Sequence, residues 1–536
     1  MEKSLEENVL RRFAVGDILR RTVGRYPDRE AIVFRDVRLT YDELNRKVNR
    51  FANALTGLGV KKGDKVAILS HNCTQYVIFL FAGAKIGAWV TPLNFMLRGK
   101  DISYIINNSE AVMFIVEDAL VEVVKEIEKE IPSVKSYCSI NLAGKQSPEG
   151  WLDFDELCSE KYSEEEPYVE IDYDDVYTLL YTSGTEAAPK GVMNTHLNWY
   201  STLLSGLADL HIAEDDVLTM DIPLYHVACV YLLLMGVGVG AKGIIHYAVD
   251  PKALLEDVPK EKITFLIYPP TLFVGLLQLP VPNVDEFLSK TFSTVKKCLS
   301  FGANMPEAIA RRWMEKILPN AYWMNYYGQS ELTPLGTTLQ HKDILRGYEK
   351  SEWGEPIGKP HMTVEMRVVD DKDNDVPIGE FGEIAVRSPS VMLGYYKMDE
   401  KTKETFKSGW HHTGDLARMD DEGYYYFVDR KKDIVKTGGE NVSTYEVEGT
   451  IFKHPKVADV AVIGLSDPYW GEAVTAVVVP KAGETIEEDE IIGFCKENLA
   501  GYKVPKHVFV TKEVPKNPSG KILKKDLRER YKEVEK

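Results

Sequence analysis

The sequence predicts an α/β protein with a large N-terminal domain of doubly wound, mainly parallel sheets, a β-rich subdomain and a small α+β C-terminal domain. Three observations predict this fold. Strand-like and helix-like segments alternate early in the chain, strands dominate from Thr363 onward, and the composition changes after DRKKD at 429–433. With 536 residues, the chain also exceeds what one hydrophobic core usually supports.

The first part of the chain alternates helices and strands. A helix is predicted over 39–59, where Thr40 and Glu43 form a capping-box pattern and apolar residues then recur at helical spacing from Leu44 to Leu55. The segments KVAIL, AWVTPLN and AVMFIVED are strand-like, and CTQYVIFLFAGAKIG between the first two is helical. Such alternation predicts a parallel sheet that binds its ligands beyond the carboxyl ends of the strands.

The later segments are richer in strands. VYTLLY, from Val176, is a near-continuous apolar run suited to a buried strand, and TVEMRVV, GEIAVRS and GYYYFVD are strand-like too. After the composition change, VADVAVIGL and AVTAVVVP are strands between helical stretches. We therefore place the domains at 1–431 and 432–536.

Composition and charge exclude several classes of protein. The chain has 65 Lys and Arg against 82 Asp and Glu, a formal charge of -17, which disfavours binding to nucleic acid or anionic lipid. MEKSLEENVL lacks the apolar core of a secretory signal, and YLLLMGVGVGAKGII is too short and glycine-rich to span a membrane. The six cysteines are scattered without a CxxC pair. We expect a cytoplasmic protein with no structural metal.

Two familiar nucleotide motifs do not fit. GVGAKG at 238–243 matches GxGxxG, but a helix-like segment precedes it where a dinucleotide fold needs a strand. GKI at 520–522 lacks the Ser or Thr of a P-loop, and Pro515 stands where its first glycine should be.

The loop TSGTEAAPKG at 182–191 fits a phosphate site better. Its hydroxyls and exposed backbone N–H groups can surround anionic oxygens, and Lys190 adds a positive charge after Pro189. Glu186 is unusual there, because a carboxylate beside a triphosphate would repel it. We expect Glu186 to point away from the phosphates.

Two downstream motifs complement this loop. In NYYGQSE at 325–331, Tyr327 could stack on a base and Glu331 could hold Mg²⁺ on phosphates. In WHHTGDL at 410–416, Asp415 is predicted in a tight turn, where its carboxylate could accept hydrogen bonds from both ribose hydroxyls.

Two more basic motifs follow. YYYFVDRKKDIVKTGGENV places Arg430 and several lysines near two glycines, and VPKNPSGKI presents Lys521 from a loop bounded by proline and glycine. Each motif alone could be a surface turn or a solvated patch. Their occurrence together in this order indicates one nucleotide-dependent function.

This series resembles the adenylate-forming superfamily, and within it the AMP-forming acyl-CoA synthetases of the fatty-acid–CoA ligase type. The resemblance runs from LTYDELNRKVNRFANAL to NPSGK, over nearly the whole chain. The family's loop is usually YTSGTTGxPKG, so Glu186 and Ala187 depart from it. The resemblance implies two steps: ATP and a carboxylic acid give an acyl-adenylate and pyrophosphate, and CoA then displaces AMP.

The resemblance also implies residue roles. Lys521, Glu331 and Lys436 would be catalytic, with Glu331 holding Mg²⁺. The small C-terminal domain would be mobile and rotate about a hinge at Lys432, which withdraws Lys521 and brings in the face of Lys436. Contacts to ATP or CoA fall on Thr182, Ser183, Gly184, Thr185, Lys190, Gly302, Ala303, Asn304, Tyr327, Gly328, Ser330, Asp415, Arg430, Gly438 and Gly439.

The acid is less well defined. His226 in PLYHVAC matches a family position that borders the acyl carboxylate, although it could equally be a structural histidine. Gly328 stands where acetate-specific relatives carry Trp, which leaves the pocket open and favours a medium- or long-chain fatty acid. PLYHVACVYLLLMG has no carboxylate to bind an amino group.

Alternatives remain open. The chain could be an aryl-acid–CoA ligase or a stand-alone adenylation enzyme that loads a carrier protein. In another class, it could be a non-catalytic nucleotide-binding regulatory protein. The expected partners are a small carboxylic acid and CoA, with no nucleic acid; a homodimer is compatible with the sequence.

Overall fold

The computed structural model describes residues 5–182, 189–302, 305–350, 353–516 and 522–532. Within these residues the chain forms three sheets. Two sheets and their helices make up a large N-terminal domain, and the third belongs to a smaller C-terminal domain.

The first part of the chain alternates helices and strands as predicted. Its helices are α1 (Leu5–Arg11), α2 (Gly16–Val23), α3 (Tyr41–Gly57), α4 (Thr74–Ile86), α5 (Gly99–Ser109), α6 (Val121–Ile127) and α7 (Phe154–Leu157). Its strands are β1 (Glu30–Phe34), β2 (Val37–Thr40), β3 (Lys65–Leu69), β4 (Trp89–Leu93), β5 (Met113–Glu117), β6 (Ser136–Ile140) and β7 (Leu152–Asp153).

The middle of the chain continues this alternation. Its strands are β8 (Val176–Thr182), β9 (Lys190–Thr195), β10 (Val217–Met220), β11 (Lys242–Ile245), β12 (Phe265–Tyr268), β13 (Lys297–Phe301), β14 (Tyr322–Tyr327) and β15 (Thr337–Gln340). Its helices are α8 (His196–Leu210), α9 (Val227–Val239), α10 (Pro251–Glu261), α11 (Pro270–Leu276), α12 (Val284–Thr291), α13 (Glu307–Arg312) and α14 (His341–Tyr348).

Strands dominate the next segment. It contains β16 (Glu355–Pro360), β17 (Glu365–Val369), β18 (Phe381–Arg387), β19 (Gly394–Tyr395), α15 (Asp399–Thr405), β20 (Phe406–Lys407), β21 (Trp410–Met419) and β22 (Tyr425–Arg430). The C-terminal domain contains β23 (Val435–Thr437), β24 (Glu440–Val442), α16 (Thr444–Ile451), β25 (Val457–Asp467), β26 (Gly471–Pro480), α17 (Glu488–Asn498), β27 (His507–Val510) and α18 (Lys524–Tyr531).

The largest sheet joins a parallel half to an antiparallel half. Its strand order is β17-β18-β21-β22-β16-β15-β14-β13-β12-β10-β11-β1-β2. Along this order, neighbouring strands from β1 to β14 pair in parallel and those from β14 to β17 pair antiparallel. At the other edge, β2 pairs antiparallel with β1. The predicted β-rich subdomain is therefore a continuation of the large sheet, because β15 and β16 connect the two halves.

The second sheet has the order β19-β9-β8-β4-β3-β5-β6-β7. Its strands β3 to β8 are parallel, and β9 and β19 add an antiparallel edge. The third sheet, in the C-terminal domain, has the order β24-β23-β26-β25, with β27 paired to β26. The predicted fold class is confirmed; the exact boundary at 431/432 stays a prediction.

The local predictions can be checked at α3. The Thr40 hydroxyl accepts a hydrogen bond from the Glu43 backbone N–H at 3.2 Å, and the Glu43 carboxylate accepts one from the Thr40 N–H at 2.9 Å. The capping box is therefore present, and Leu44, Val48, Phe51 and Leu55 are buried as expected.

The apolar run after His226 forms the buried helix α9, followed by β11. Its residues from Cys229 to Met235 are at most 2% exposed and belong to the main hydrophobic core. None of the described helices is both long and apolar enough to cross a membrane.

Candidate functional site

A cleft of about 1160 Å³ opens where several parallel strands end. Its wall includes residues at or just beyond the carboxyl ends of β4, β8, β13 and β14: Leu93, Thr182, Gly302 and Gly328. This is where a doubly wound sheet leaves room for a ligand, since helices cover its faces and the strand ends stay open.

The cleft gathers predicted residues that lie far apart in the sequence. Among the described residues, its wall contains Thr182, Lys190, His226, Gly302, Gly328, Ser330, Glu331, Arg430 and Lys432. Ser183, Gly184, Thr185, Glu186, Ala187, Ala303, Asn304 and Lys521 lie outside the described residues. Leu523, two residues after Lys521, also lines the cleft.

Asp415 stands at the centre of a hydrogen-bonded corner beside the cleft. Its Oδ2 accepts from the Tyr327 hydroxyl at 2.8 Å and from Gln329 Nε2 at 3.2 Å, and its Oδ1 is 3.3 Å from Arg430 Nε. Asp415 is 3% exposed, whereas Gln329 and Arg430 reach the cleft. We call Tyr327, Gln329, Asp415 and Arg430 the carboxylate corner.

The strand pairing explains this corner and corrects one prediction. Asp415 lies within β21 directly opposite Arg430 of β22, and not in a tight turn. The turn-like sequence misled because Gly414, with φ of 73°, forms an irregularity inside a continuing strand. Adjacent strands therefore hold the two side chains together without a turn.

The charges of the corner reinforce one another. The negative charge of Asp415 is the main reason that the pKa of Arg430 is raised above its usual value. Burial, together with the neighbouring Asp415, raises the pKa of Tyr327 well above its usual value. Tyr327 therefore stays a neutral donor and Arg430 a cation, and both remain directed at the Asp415 carboxylate.

Glu331 lies on another wall of the cleft, in the short helical turn 330–332. Its Oε1 accepts a hydrogen bond from the Tyr395 hydroxyl at 2.9 Å. The turn is attached to β9, because Asn194 Nδ2 donates to the Ser330 carbonyl at 3.1 Å. Lys190, on the same β9, lies in the cleft with its Nζ 4.6 Å from the centre of the Tyr395 ring.

The donor set around Glu331 fits Mg²⁺ that arrives with a nucleotide. Within the described ranges there is no group of three or more His, Cys, Asp or Glu side chains that could hold a metal ion alone. Mg²⁺ typically keeps waters and takes one or two protein carboxylates together with substrate phosphates. One carboxylate facing the cleft meets that requirement.

His226 begins α9 and borders the cleft. Its Nδ1 accepts a hydrogen bond from the Ala228 backbone N–H at 3.2 Å, so the proton of the neutral ring lies on Nε2. The side chain is accessible from the cleft, and the protein packed around the ring disfavours its charged form, which holds the pKa of His226 below its usual value. His226 is therefore a neutral N–H donor.

Gly328 is required by its surroundings. A Cβ at this position would lie 1.7 Å from the carbonyl oxygen of Pro334, closer than any side chain permits. The missing side chain allows the backbone to approach Pro334. That Gly328 also leaves the pocket open for a longer acid stays a prediction.

Three predicted residues lie elsewhere. Lys436, Gly438 and Gly439 belong to the hairpin of β23 and β24, which we call the glycine hairpin (435–442). All three residues are exposed. None of them lines the cleft described above. Gly438 and Gly439 have φ of 59° and 87°, a left-handed turn that favours glycine.

The junction between the domains is held by hydrogen bonds. Asp429 Oδ2 accepts from Ser443 Oγ at 3.2 Å, Thr444 Oγ1 at 2.8 Å and the Tyr445 N–H at 3.2 Å. The Tyr445 hydroxyl also donates to Glu355 Oε2 at 2.8 Å. These bonds fix the start of α16 against the end of β22 and the start of β16 in the large sheet.

Sequence reasoning missed Gln329 and Tyr395 as site residues. Gln329 stands inside the motif NYYGQSE, and its position two residues after Tyr327 is the available signal. Tyr395 is 64 residues from its partner Glu331, and no spacing rule links positions that far apart.

Comparison with known proteins supports one family. The model described as "AMP-binding enzyme" matches residues 19–396, and "AMP-binding enzyme C-terminal domain" matches residues 446–521. A feruloyl-CoA synthase of Amycolatopsis sp is 35% identical, covering 92% of this chain and 94% of its own length. A long-chain-fatty-acid–CoA ligase of Mycobacterium tuberculosis is 32% identical, covering 96% and 98%.

Solved structures agree. ATP-bound MatB from Rhodopseudomonas palustris superposes with a TM-score of 0.86 at 28% identity, covering 97% of this chain and 100% of that one. The o-succinylbenzoate CoA synthetase of Bacillus subtilis, in complex with its acyl-adenylate, has a TM-score of 0.83 at 28% identity, covering 95% and 97%. The chain therefore belongs to the AMP-binding enzyme family, among the adenylate-forming acyl-CoA synthetases.

Proposed function

We propose that this acyl-CoA ligase activates a fatty acid, and of the predicted medium- or long-chain acids a medium-chain one, using the cleft for both ATP and the acid. The observation that carries this proposal is the convergence of Lys190, His226, Glu331 and Arg430 on one cleft at the strand ends. ATP and the acid give acyl-adenylate and pyrophosphate there, and CoA then displaces AMP.

The carboxylate corner is the proposed seat of the ribose. Asp415 is already fixed by Tyr327, Gln329 and Arg430, and each carboxylate oxygen can accept more than one hydrogen bond. Ribose hydroxyls would approach the remaining lone pairs of Asp415 from the cleft side, where Gln329 and Arg430 line the wall. The Tyr327 ring would stack on the base beside Gly302.

In the first step, an oxygen of the acid bonds to the α-phosphorus as the bond to the pyrophosphate oxygen breaks. The neutral His226 donates its Nε2 proton in a hydrogen bond to the acid's carboxylate, which orients it without an added charge. Glu331 would hold Mg²⁺, which offsets phosphate charge when bound. Lys190 and Lys521 supply positive charge on the protein side.

For the second step, we propose a rotation of the small C-terminal domain about Lys432. Two positions support this proposal: Leu523, two residues after Lys521, lines the cleft, whereas Lys436, Gly438 and Gly439 are not part of its wall. The rotation would move Lys521 away from the cleft and bring the glycine hairpin to it. Lys521→Ala should then abolish adenylation and largely spare transfer from preformed acyl-adenylate to CoA.

The depth of the cleft favours a medium chain over a long one. The wall includes the start of α9 at Val227 and Ala228, whereas the residues from Cys229 onward are core. A long tunnel along α9 would need that part of the helix to face the cavity. The acyl group would therefore extend only to the first turn of α9.

An aryl acid is the second candidate. Around His226 the cleft presents the rings of Tyr225, Phe301 and Tyr326. Flat aromatic acids can stack against such rings, whereas an alkyl chain contacts them only as apolar surface.

The test is ATP–pyrophosphate exchange without CoA, measured across short, medium and long fatty acids, aryl acids and amino acids. A maximum at medium-chain acids would support the proposal, and a maximum at aryl acids would support the second candidate. Thioester formation with CoA, compared with a carrier-protein arm, separates the ligase from a stand-alone adenylation enzyme. ATP binding without exchange for any acid would favour a regulatory protein.

A further inference from the structure

Tyr395 occupies an unusual place between two charged groups of the cleft. It is 5% exposed and belongs to the two-residue strand β19, which pairs with β9 so that Tyr395 lies opposite Val192. Its side chain reaches the cleft wall from there. No motif in the sequence marks this residue.

The two ends of the side chain meet opposite charges. The hydroxyl donates to Glu331 Oε1 at 2.9 Å, and the ring lies 4.6 Å from Lys190 Nζ. A hydrogen bond to a carboxylate is stronger than one between neutral groups. A cation over an aromatic ring is attracted to the negative face of the ring. One side chain therefore contacts both groups.

The backbone around Tyr395 connects the same two elements. The Met392 N–H donates to the Glu331 carbonyl at 2.8 Å, and the Tyr396 N–H donates to the Gly191 carbonyl at 2.8 Å. Tyr395 is itself held by its own N–H, which donates to Thr402 Oγ1 at 2.9 Å. The segment 392–396 thus joins the Glu331 turn to β9.

We propose that Tyr395 is a positioning residue that sets the distance and orientation of Glu331 relative to Lys190, a role that rests on the proposed function. With Oε1 of Glu331 held by the hydroxyl, Oε2 is the oxygen we assign to the metal of a metal–nucleotide complex. The ring, in turn, keeps the Lys190 ammonium beside the phosphates. A phenylalanine would fill the same space without orienting the carboxylate.

The test compares Tyr395→Phe with Tyr396→Phe. The control residue is the next one along the chain, and its hydroxyl contacts Glu110 at 3.3 Å outside the cleft. The readout is the affinity of Mn²⁺ for the enzyme in the presence of a non-hydrolysable ATP analogue. Binding is detected through the relaxation rate of water protons. We expect Tyr395→Phe to weaken Mn²⁺ binding by roughly 10-fold and Tyr396→Phe to leave it unchanged.

A double-mutant cycle separates orientation from packing. If Tyr395 acts through Glu331, then adding Tyr395→Phe to Glu331→Gln should weaken Mn²⁺ binding no further. Tyr395→Leu also removes the ring, so its KM for ATP should rise about threefold above that of Tyr395→Phe.

Two results would overturn the proposal: equal Mn²⁺ affinity in Tyr395→Phe and Tyr396→Phe, or an undiminished effect of Tyr395→Phe in the Glu331→Gln background. The retained ring keeps the packing, and Mn²⁺ titration counts only folded sites. Failure of the proposed function would appear differently, as absent pyrophosphate exchange in the unmodified enzyme while the Mn²⁺ comparison still reports on Tyr395.

Discussion

The carboxylate corner and the glycine hairpin differ in how completely they are assembled. In the corner, Asp415 is buried and bonded to Tyr327, Gln329 and Arg430. In the hairpin, Lys436, Gly438 and Gly439 are exposed and away from the cleft. The first step would thus use a preorganised site, whereas the second would need residues to be brought in.

The largest expected effect is in the corner. Asp415→Ala removes the partner of three donors, so kcat/KM for ATP in pyrophosphate exchange should fall more than about 100-fold. Asp421→Ala, in the exposed turn that follows β21, is the matched control and should change exchange by less than about twofold. If kcat/KM for ATP falls by less than about threefold in Asp415→Ala, the carboxylate corner is not part of the nucleotide site.

A pair of glycine substitutions compares the two regions directly. Gly328→Ala places a Cβ against the Pro334 carbonyl, so it should destabilise the protein by about 1–3 kcal/mol or more and reduce exchange. Gly439→Ala meets nothing within 4 Å, and only its φ of 87° is unfavourable, at a cost of about 1–2 kcal/mol. Urea unfolding measures both, and a larger loss in Gly439→Ala would contradict the comparison.

A substitution in the glycine hairpin should slow only one of the two half-reactions. We expect Lys436→Ala to slow transfer of the acyl group from preformed acyl-adenylate to CoA by about 10-fold, because it removes one charged contact. Pyrophosphate exchange should stay within about twofold. Lys496→Ala, on the exposed side of α17, is the control for both assays. Equal loss in the two half-reactions would place Lys436 in the adenylation site.

The smallest effect concerns the junction. Burial raises the pKa of Glu355 to about 7, although hydrogen bonds from Tyr445 and Asn325 oppose this shift. The folded protein therefore binds a proton that the unfolded chain releases near 4.5, so this stabilisation is present below about pH 4.5 and is lost as the pH rises through 7.

Glu355→Gln removes this titration. Between pH 5 and pH 8, the variant should lose less thermal stability than the unmodified protein, by about 1–2 °C in Tm. Glu349→Gln, at an exposed position after α14, should show the unmodified pH dependence. Parallel Tm curves for Glu355→Gln and the unmodified protein would show that Glu355 does not titrate in this range.

The sequence predicted the local elements well and the long-range contacts poorly. The capping box of α3 and the cleft beyond the strand ends both follow from local periodicity and strand direction. The contact between Tyr327 and Asp415 spans 88 residues, and β21 meets β22 only through the fold. Strand order is a tertiary property, so neither the continuous large sheet nor the contact of Tyr395 with Glu331 could be inferred from short motifs.

The bonds of Asp429 carry a kinetic consequence. Asp429 precedes Lys432 in the chain, whereas its partners Ser443, Thr444 and Tyr445 follow it. Any turn of the C-terminal domain about Lys432 that moves α16 away from β22 must first break these three bonds. Such a rotation has to cross an energy barrier, and its rate depends on how strongly the Asp429 carboxylate holds the start of α16.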